Sequence, residues 1–382
     1  MSSSSLLAGR RIWIAGIGGA GMSAYALVAH AWGAEVAGWD RNETPYLEHL
    51  DGIDVNIAPD PPQPPEGWEV YVSTAFAGRV AGRPRAELLA ELVSLRHSIV
   101  VAGAHGKTTT SAMIAFCLER LGLDPAFLIG GDVPQLGGNA RAGQGWLVVE
   151  GDESDRSVAA LRPEIAVLLN VDLDHHTMFA SVAEVEELFE AWLAHVPQVV
   201  RAEQLPPVDL PLAVPGEHNR RNAAAALAAL ELAGVKGADK VIGEFTGAGR
   251  RLQRRGEGVL DSYAHHPAEI AADIAAVDGR VIALFQPHLY SRTRYLAHEF
   301  AVALAAADAV CITEIYPARE EPLPGVSGKL IVNELASVRP GMRVGWAPTL
   351  EDGARIVAGW RRPCDTVLTL GAGDVDRAAE LL

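Results

Sequence analysis

Cysteine is scarce in this sequence, with only Cys117, Cys311 and Cys364 among 382 residues. They are widely separated and odd in number, which does not suit a disulfide framework and indicates reduced thiols, as in a cytosolic protein. Their neighbours in sequence are mainly apolar. We therefore expect all three to be buried as small hydrophobic side chains rather than to act as nucleophiles.

Long hydrophobic runs are also missing. A membrane helix needs roughly 20 apolar residues, and the best candidate, residues 301–312, is interrupted by Asp308. The chain starts with a serine-rich stretch that lacks the basic region of a signal peptide. We predict a soluble, cytoplasmic protein without membrane insertion.

Basic residues are fewer than acidic residues in this chain. Asp and Glu total 48 against 32 Lys and Arg, which gives a formal net charge of −16. A field of this sign repels a polyphosphate backbone, so we predict no nucleic-acid partner. An anionic ligand would have to bind at local cationic side chains or at helix N-termini.

Apolar residues, by contrast, make up 49% of the chain, and short apolar runs alternate with helical segments throughout. This pattern predicts an α/β protein, and the length suits several domains of roughly 100–200 residues each. Glycine-rich turns begin new units near residues 98 and 249. We therefore predict three domains with bounds 1–97, 98–248 and 249–382.

A glycine turn follows the first apolar run. Gly16, Gly18 and Gly21 have the spacing of a dinucleotide-binding turn, and Asp40 follows about 20 residues later. Such glycines let the backbone approach a pyrophosphate, and the carboxylate can bind a ribose hydroxyl. The same motif would fit a nicotinamide-dependent oxidoreductase, or a tight strand-to-helix turn without a ligand.

A second glycine turn, Gly103-Ala-His-Gly106-Lys107-Thr108, follows another buried run. It supplies backbone amides and a lysine for phosphates and a hydroxyl for Mg²⁺, as in a P-loop. The outer glycine of the full motif is replaced by Val101. An oxidoreductase would leave this lysine loop without a role.

Carboxylates and imidazoles follow the next apolar runs. Residues 150–155 contain Glu150 and three further acidic residues, and His175 follows a later run. Carboxylate oxygens are ligands that Mg²⁺ prefers, so a metal site near the lysine loop is one interpretation. A solvated acidic loop is the other.

Two further groups of polar residues lie closer to the C-terminus. Asn219 and Asn222 open an alanine-rich helix, where they could bind a base edge or merely cap the helix. His265, His288 and Arg292 lie in apparent loops of the third domain. An arginine suits a carboxylate and a histidine suits proton transfer, although such residues are often surface groups.

Together these motifs resemble the Mur ligases over nearly the whole chain. The resemblance implies a Rossmann-like domain that binds UDP rather than NAD, a P-loop-type central ATPase domain with a parallel sheet, and a C-terminal Rossmann-like α/β domain. The segments that carry it are residues 16–23, 102–110, 150–155, 215–222, 261–267, 285–293 and 371–374.

The resemblance also implies a function. The third-domain motifs look like those of the members that use ATP and Mg²⁺ to join L-alanine to the lactyl carboxylate of UDP-N-acetylmuramate, a step of peptidoglycan precursor synthesis. A related ligase that attaches a whole muropeptide, and a non-catalytic nucleotide-binding regulator, remain alternatives. We expect a monomer or weak homodimer.

Residue roles follow from the same resemblance. Residues expected to bind UDP are Gly18, Gly19, Ala20, Gly21, Met22, Asp40 and Ser73. Residues expected to bind ATP are Gly103, His105, Gly106, Lys107, Thr108, Thr109, Asn219, Asn222 and Arg251. The expected metal ligands are Thr108, Glu150 and His175. The expected catalytic residues are Lys107, Glu150, His175, His265, His288 and Arg292.

The chain departs from the family pattern in two places. The interval from His175 to His218 is short and ends in a proline-rich stretch, which predicts a central domain that lacks strands. Leu289 stands where similar enzymes carry an arginine near the amino-acid carboxylate. Arg292 is therefore our main candidate for that contact.

Overall fold

A computed structural model of the protein describes residues 6–173, 178–318 and 320–382. The chain forms two compact units, one of Met1–Leu212 with Arg221–Thr246 and one of Ala213–Arg220 with Gly247–Leu382. The first unit contains two sheets and the second contains one. The predicted α/β class is confirmed, whereas the three domain boundaries remain a prediction.

The first sheet is built from the glycine-turn region. Its five strands are all parallel, in the order β3-β2-β1-β4-β5. Four of the five residues of β1 are buried, as expected for a strand covered on both faces. The elements are β1 (Arg11–Ala15), α1 (Ala20–Ala31), β2 (Glu35–Asp40), β3 (Asp54–Ile57), β4 (Glu69–Val72), β5 (Arg83–Pro84) and α2 (Arg85–Ser94).

The second sheet has six strands in the order β11-β10-β6-β9-β7-β8, and only β8 is antiparallel to its neighbour. Its elements are β6 (Ser98–Ala102), α3 (Lys107–Arg120), β7 (Ala126–Val133), β8 (Gly138–Arg141), β9 (Leu147–Glu150), β10 (Ile165–Leu168), α4 (Val182–Leu193), β11 (Gln198–Arg201), α5 (Glu217–Leu232) and α6 (Ala238–Val241). Residues 202–216, which connect β11 to α5, contain no strand. This short connection agrees with the predicted shortening.

The first two sheets share one continuous hydrophobic core. Helix α1 of the first sheet packs against β7 and β8 of the second. Asn139 on β8 supports this contact, because its Nδ2 donates to the carbonyl oxygen of Ala20 at 3.2 Å. The two glycine turns therefore belong to one packed unit.

The third sheet lies in the second unit and has the strand order β12-β13-β17-β14-β15-β16. Strand β12 is antiparallel to β13, and the other pairs are parallel. The elements are β12 (Gln253–Gly256), β13 (Val259–Ser262), α7 (Pro267–Ala275), β14 (Val281–Phe285), α8 (Tyr290–Tyr295), α9 (Ala297–Leu304), β15 (Ala309–Ile312), α10 (Lys329–Val338), β16 (Arg343–Trp346), α11 (Leu350–Trp360), β17 (Thr366–Leu370) and α12 (Asp376–Ala379).

The cysteines are not all buried. Cys117 and Cys311 are, and burial raises the pKa of each thiol to about 12. Cys364 is exposed, so the expectation was wrong for this residue. It lies between α11 and β17 with φ 69, in a turn rather than in an element that faces the core.

Helix length bears on membrane association. The longest helix, α5, has 16 residues. Within the ranges that the structure describes, no helix combines the length and the apolar character needed to cross a membrane.

A buried carboxyl group in the second unit gives a testable pH dependence. Asp273 on α7 accepts a hydrogen bond from Ser262 Oγ, and His218 Nε2 lies 3.8 Å from its Oδ1. Burial raises the pKa of Asp273 to about 7. The folded protein therefore holds this proton more tightly than the unfolded chain does, so the resulting stabilisation is complete below about pH 4 and is lost as the pH rises through about 7.

Asp273→Asn, which cannot ionise, is expected to remove this pH dependence. Relative to wild type, the free energy of unfolding of the variant should rise by up to about 4 kcal/mol between pH 4 and pH 8. Denaturant titrations across this range measure the difference, with the exposed carboxylate of Asp239 as control in Asp239→Asn. If the free energies of unfolding of Asp273→Asn and wild type change with pH in parallel, Asp273 does not cause the pH dependence.

Candidate active site

The glycine turn after β1 is shaped by close backbone contacts. The amides of Gly16 and Ile17 both donate to the carbonyl oxygen of Trp39, at 2.7 and 3.1 Å. Gly16 has φ +84, and a Cβ there would lie 2.4 Å from Ser73 Oγ. The fold thus brings Ser73, directly after β4, against the turn, and its contact with UDP remains a prediction.

Asp40 is engaged by the turn itself. Its Oδ2 accepts the amide of Gly18 at 2.9 Å, and its Oδ1 accepts the amide of Arg41 at 2.7 Å. Thr44 Oγ1 donates to the carbonyl oxygen of Gly18 at 2.7 Å. Asp40 therefore fixes the turn, and its ribose contact remains a prediction. The backbone amides of the first turn of α1, which begins at Ala20, are the groups available to a pyrophosphate.

The lysine loop lies between β6 and α3, at the carboxyl edge of the second sheet. Asn170, just after β10, holds it in place: the amide of His105 donates to Asn170 Oδ1, and Asn170 Nδ2 donates to the carbonyl oxygen of His105, both at 2.9 Å. His105 Nε2 also lies 3.4 Å from Asp172 Oδ2. The loop conformation is thus fixed by side chains of the neighbouring strand.

Lys107 is held inside the loop by a buried ion pair. Its Nζ donates to the carbonyl oxygen of Gly103 at 2.6 Å and to Glu153 Oε2 at 3.0 Å. The Glu153 side chain is only 3% exposed. Burial acts to lower the pKa of Lys107, but Glu153 and Asp152 outweigh it and raise the pKa above its ordinary value. The ammonium group is therefore charged at neutral pH.

The predicted metal ligands Thr108 and Glu150 lie together. Thr108 Oγ1 donates to Glu150 Oε2 at 3.2 Å, and the amide of Gly130 donates to Glu150 Oε1 at 2.7 Å. A hydroxyl and a carboxylate at the start of α3 are the oxygen donors that suit Mg²⁺ on a nucleotide. The third predicted ligand, His175, lies outside the described residues.

The two predicted asparagines have different surroundings. Asn222 belongs to the first unit and packs against the lysine loop, since a Cβ on Gly106 would lie 2.6 Å from Asn222 Oδ1. Asn219 belongs to the second unit, and its Nδ2 donates to the carbonyl oxygen of Pro215 at 2.6 Å. Asn219 thus stabilises the start of α5, and a contact with adenine remains a prediction for both.

Gly106→Ala is expected to abolish ATP binding. Gly106 has φ +87, and the added methyl group would displace the Asn222 side chain from the loop. Gly122→Ala is the matched control, because Gly122 also has a positive φ of +72 but open space around it. Both variants should be destabilised by about 1 kcal/mol. Nucleotide binding by calorimetry should be lost only in Gly106→Ala, and retention there would contradict this account of the loop.

In the second unit, the predicted histidines form a cluster of rings. The His265 and His288 rings lie 5.8 Å apart, and His288 stacks on Tyr316 with the centroids also 5.8 Å apart. Tyr263 packs edge-on against His265 at 5.2 Å. The cluster follows the carboxyl ends of β13, β14 and β15, where α/β proteins bind ligands.

The predicted arginines have distinct environments. Arg292 on α8 is 5% exposed and follows Leu289, whose φ of 72 is strained for a leucine. Arg251 lies over the Tyr263 ring at 4.8 Å, beside the histidine cluster. Arg250, by contrast, is structural, because it donates to Asp261 and to the carbonyl oxygens of Gly371 and Gly373. The ATP role of Arg251 and the carboxylate role of Arg292 remain predictions.

The sequence alone did not identify three residues near the site. Glu153 was present in the acidic run but had no predicted partner, and Tyr316 and Arg85 carried no local motif. Arg85 donates to Asp152 and Asp155 in that run. Glu153 could have been identified, because it follows Glu150 by three residues in the sequence and therefore lies near the end of the same strand. Arg85 and Tyr316 became visible only through tertiary contacts.

Family models match two parts of the chain. The model of the Mur ligase middle domain matches residues 101–202, and that of the Mur ligase glutamate ligase domain matches residues 250–373. These segments contain the lysine loop and the histidine cluster respectively, and together they cover more than half of the chain. Both models describe ligase domains, which argues against the alternative of a nicotinamide-dependent oxidoreductase.

Curated relatives match almost end to end. The UDP-N-acetylmuramate–L-alanine ligase of Rubrobacter xylanophilus is 38% identical over 448 aligned positions, covering 97% of this chain and 99% of the relative. The ligase of the same name from Streptomyces coelicolor is 39% identical, covering 94% of each chain. The 448 positions exceed the 382 residues present here, so that relative contains residues without a counterpart in this chain.

Solved structures share the fold. The UDP-N-acetylmuramate-alanine ligase of Thermotoga maritima superposes with a TM-score of 0.77 at 26% identity, covering 97% of each chain. A murein peptide ligase from Psychrobacter arcticus superposes with a TM-score of 0.64 at 23% identity, covering 98% of each chain, which shows the fold alone. Family models, near full-length relatives and the arrangement around Lys107 agree, and the chain belongs to the Mur ligase family.

Proposed function

We propose that this protein uses ATP to join L-alanine to the lactyl carboxylate of UDP-N-acetylmuramate, giving UDP-N-acetylmuramoyl-L-alanine, ADP and phosphate. This reaction supplies peptidoglycan precursors. The observation that carries the proposal is the placement of Lys107, Thr108 and Glu150 at one strand edge, in a chain similar over nearly its whole length to ligases of this name.

The surroundings of Thr108 suit a magnesium ion. Thr108 Oγ1 and Glu150 Oε2 are hard oxygen donors 3.2 Å apart, at the N-terminus of α3 where nucleotide phosphates would bind. Mg²⁺ held there would neutralise charge on the phosphate oxygens. Thr108 and Glu150 would hold it, and we propose His175 as a further ligand.

Lys107 has to change partners for the first chemical step. In this structure its ammonium group contacts Glu153 and Gly103. We infer that the terminal phosphates of ATP take over this contact while the lactyl carboxylate attacks the γ-phosphorus and ADP leaves. The lysine charge then stabilises the negative charge that develops during transfer. The product of this step is an acyl phosphate.

We propose that the histidine cluster takes part in the second chemical step, the formation of the amide bond. The alanine amine attacks the acyl phosphate carbonyl, and phosphate leaves from the tetrahedral intermediate. We propose that His265 or His288 accepts the amine proton, because their imidazole rings lie 5.8 Å apart at a strand edge. Arg292 is the candidate for the alanine carboxylate, since an arginine can bind a carboxylate through two hydrogen bonds.

The setting of the reaction is part of the proposal. Both ATP and the nucleotide sugar are cytoplasmic metabolites, so we propose that the enzyme acts in the cytoplasm, as a monomer or weak homodimer. The absence of a bilayer-length apolar helix from the described residues is compatible with this setting.

Phosphate release tests the proposed function. The protein is incubated with ATP, Mg²⁺ and UDP-N-acetylmuramate, and each common L-amino acid is added separately. We expect release with L-alanine and little with other amino acids. Release only with the L-Ala-γ-D-Glu-diaminopimelate tripeptide would instead indicate the muropeptide ligase. ATP binding without release in any mixture would indicate a non-catalytic regulator.

A further inference from the structure

The carboxylates of the acidic segment, residues 150–155, contact two different parts of the first unit. Glu150 and Glu153 contact Thr108 and Lys107 of the nucleotide loop. Asp152 and Asp155 instead contact Arg85, at the N-terminus of α2. The segment is therefore held between two cations of the first unit, Arg85 at the start of α2 and Lys107 at the start of α3.

Arg85 makes an extensive ion-pair contact. Its Nε and Nη2 both donate to Asp155 Oδ2, at 2.9 and 2.6 Å, and Nη2 also donates to Asp152 Oδ2 at 3.1 Å. The Arg85 side chain is 19% exposed. A guanidinium that binds two carboxylates in a partly buried place fixes their orientation better than a flexible ammonium could.

The two aspartates in turn shape the backbone of the segment. Asp152 Oδ1 accepts the amide of Ser154 at 2.9 Å, and Asp155 Oδ1 accepts the amide of Ser157 at 3.0 Å. Glu153 lies between them and points to Lys107. The contact with Arg85 therefore fixes the turn from which Glu153 reaches Lys107, directly after the strand that ends at Glu150.

The charge balance of the acidic segment also depends on Arg85. Residues 150–155 carry four carboxylates beside the loop that must bind the anionic phosphates of ATP. In this structure Lys107 offsets Glu153, and Arg85 offsets Asp152 and Asp155. Without Arg85, Asp155 would lose its cation and Asp152 would keep only the more distant charge of Lys107, so both carboxylates would repel the nucleotide more strongly.

We propose that Arg85 is a positioning residue for the MgATP site, acting through Asp152 and Asp155 on the segment that presents Glu150 and Glu153. The role rests on the proposed ATP-dependent function. Arg85 needs no contact with ATP for this role, because its effect passes through the hydrogen-bonded turn between Asp152 and Ser157.

Arg85→Ala and Arg85→Lys test the role, with Arg83→Ala as the matched control. Arg83 lies two residues earlier, but its ion pairs are with Glu69, Glu87 and Glu91, away from the acidic segment. We expect Arg85→Ala to raise the KM for MgATP, and the Kd of a non-hydrolysable ATP analogue with Mg²⁺, roughly 10–100-fold. Arg85→Lys should recover part of this loss, and Arg83→Ala should leave both constants unchanged.

Thermal unfolding of each variant separates positioning from a merely structural role. Wild-type KM and Kd in Arg85→Ala, with or without a lower Tm, would overturn the proposal. If Arg85→Ala does not fold, Asp155→Asn removes the main partner of the same guanidinium and should raise KM and Kd in the same direction. If wild type binds MgATP without ligating alanine, the proposed function fails, and the comparison of Kd values still decides the role of Arg85.

Discussion

Lys107→Met is expected to abolish detectable ligation, with kcat reduced by at least roughly 10³-fold, because the cation proposed to contact the transferred phosphoryl group is lost. The same change leaves the Glu153 carboxylate buried without its cation. Breaking a buried ion pair in this way costs about 3–5 kcal/mol of stability. Activity and unfolding measurements on one variant should therefore both change.

A double variant separates these two effects. In Lys107→Met/Glu153→Gln the uncompensated charge is removed, so most of the lost stability should return while activity stays absent. Recovery of ligation in the double variant would show that Lys107 acts only by balancing Glu153. Unchanged kcat in Lys107→Met would contradict the assignment of the loop.

Glu150→Gln is expected to lower kcat by at least about 10²-fold at ordinary Mg²⁺ concentrations. The amide keeps the shape of the side chain and can still accept the amide hydrogen of Gly130. It lacks the negative charge that a Mg²⁺ ligand provides. The activity should therefore depend on Mg²⁺ at much higher concentrations, as measured by titrating the metal.

Glu119→Gln is the control for this substitution. Glu119 is also a carboxylate of the first unit, but it pairs with Arg141 at the surface, at the far end of α3. Its replacement should leave kcat and the Mg²⁺ dependence unchanged. An equal loss in both variants, or a wild-type Mg²⁺ dependence in Glu150→Gln, would rule out Glu150 as a metal ligand.

The central strands could be predicted because they are short apolar runs that end in polar residues or glycines. Four such runs coincide with strands of the structure: Glu35–Asp40, Ser98–Ala102, Val281–Phe285 and Thr366–Leu370. The edge strands β3, β8 and β12 were missed. Their sequences are mixed or polar, because an edge strand is covered less than a central one and carries a weaker hydrophobic pattern.

Site residues could be predicted only where a local sequence motif indicates their function. Lys107 and Thr108 follow a glycine turn, and Glu150 ends a strand, so their meeting follows from parallel sheet geometry. Asp40 and Arg85 differ, because their partners are set by tertiary packing. Asp40 accepts the amide of Gly18 in the glycine turn, and Arg85 reaches a segment almost 70 residues away along the chain.

The central claim is that this chain catalyses the ligation although its connection between β11 and α5 is short. The most direct measurement is the mass of the products formed from ATP, Mg²⁺, UDP-N-acetylmuramate and L-alanine. We predict a new species with the mass of the two substrates joined through loss of water, formed only when all components are present and absent with Lys107→Met. Bound ATP with no such species at any alanine concentration would contradict the account.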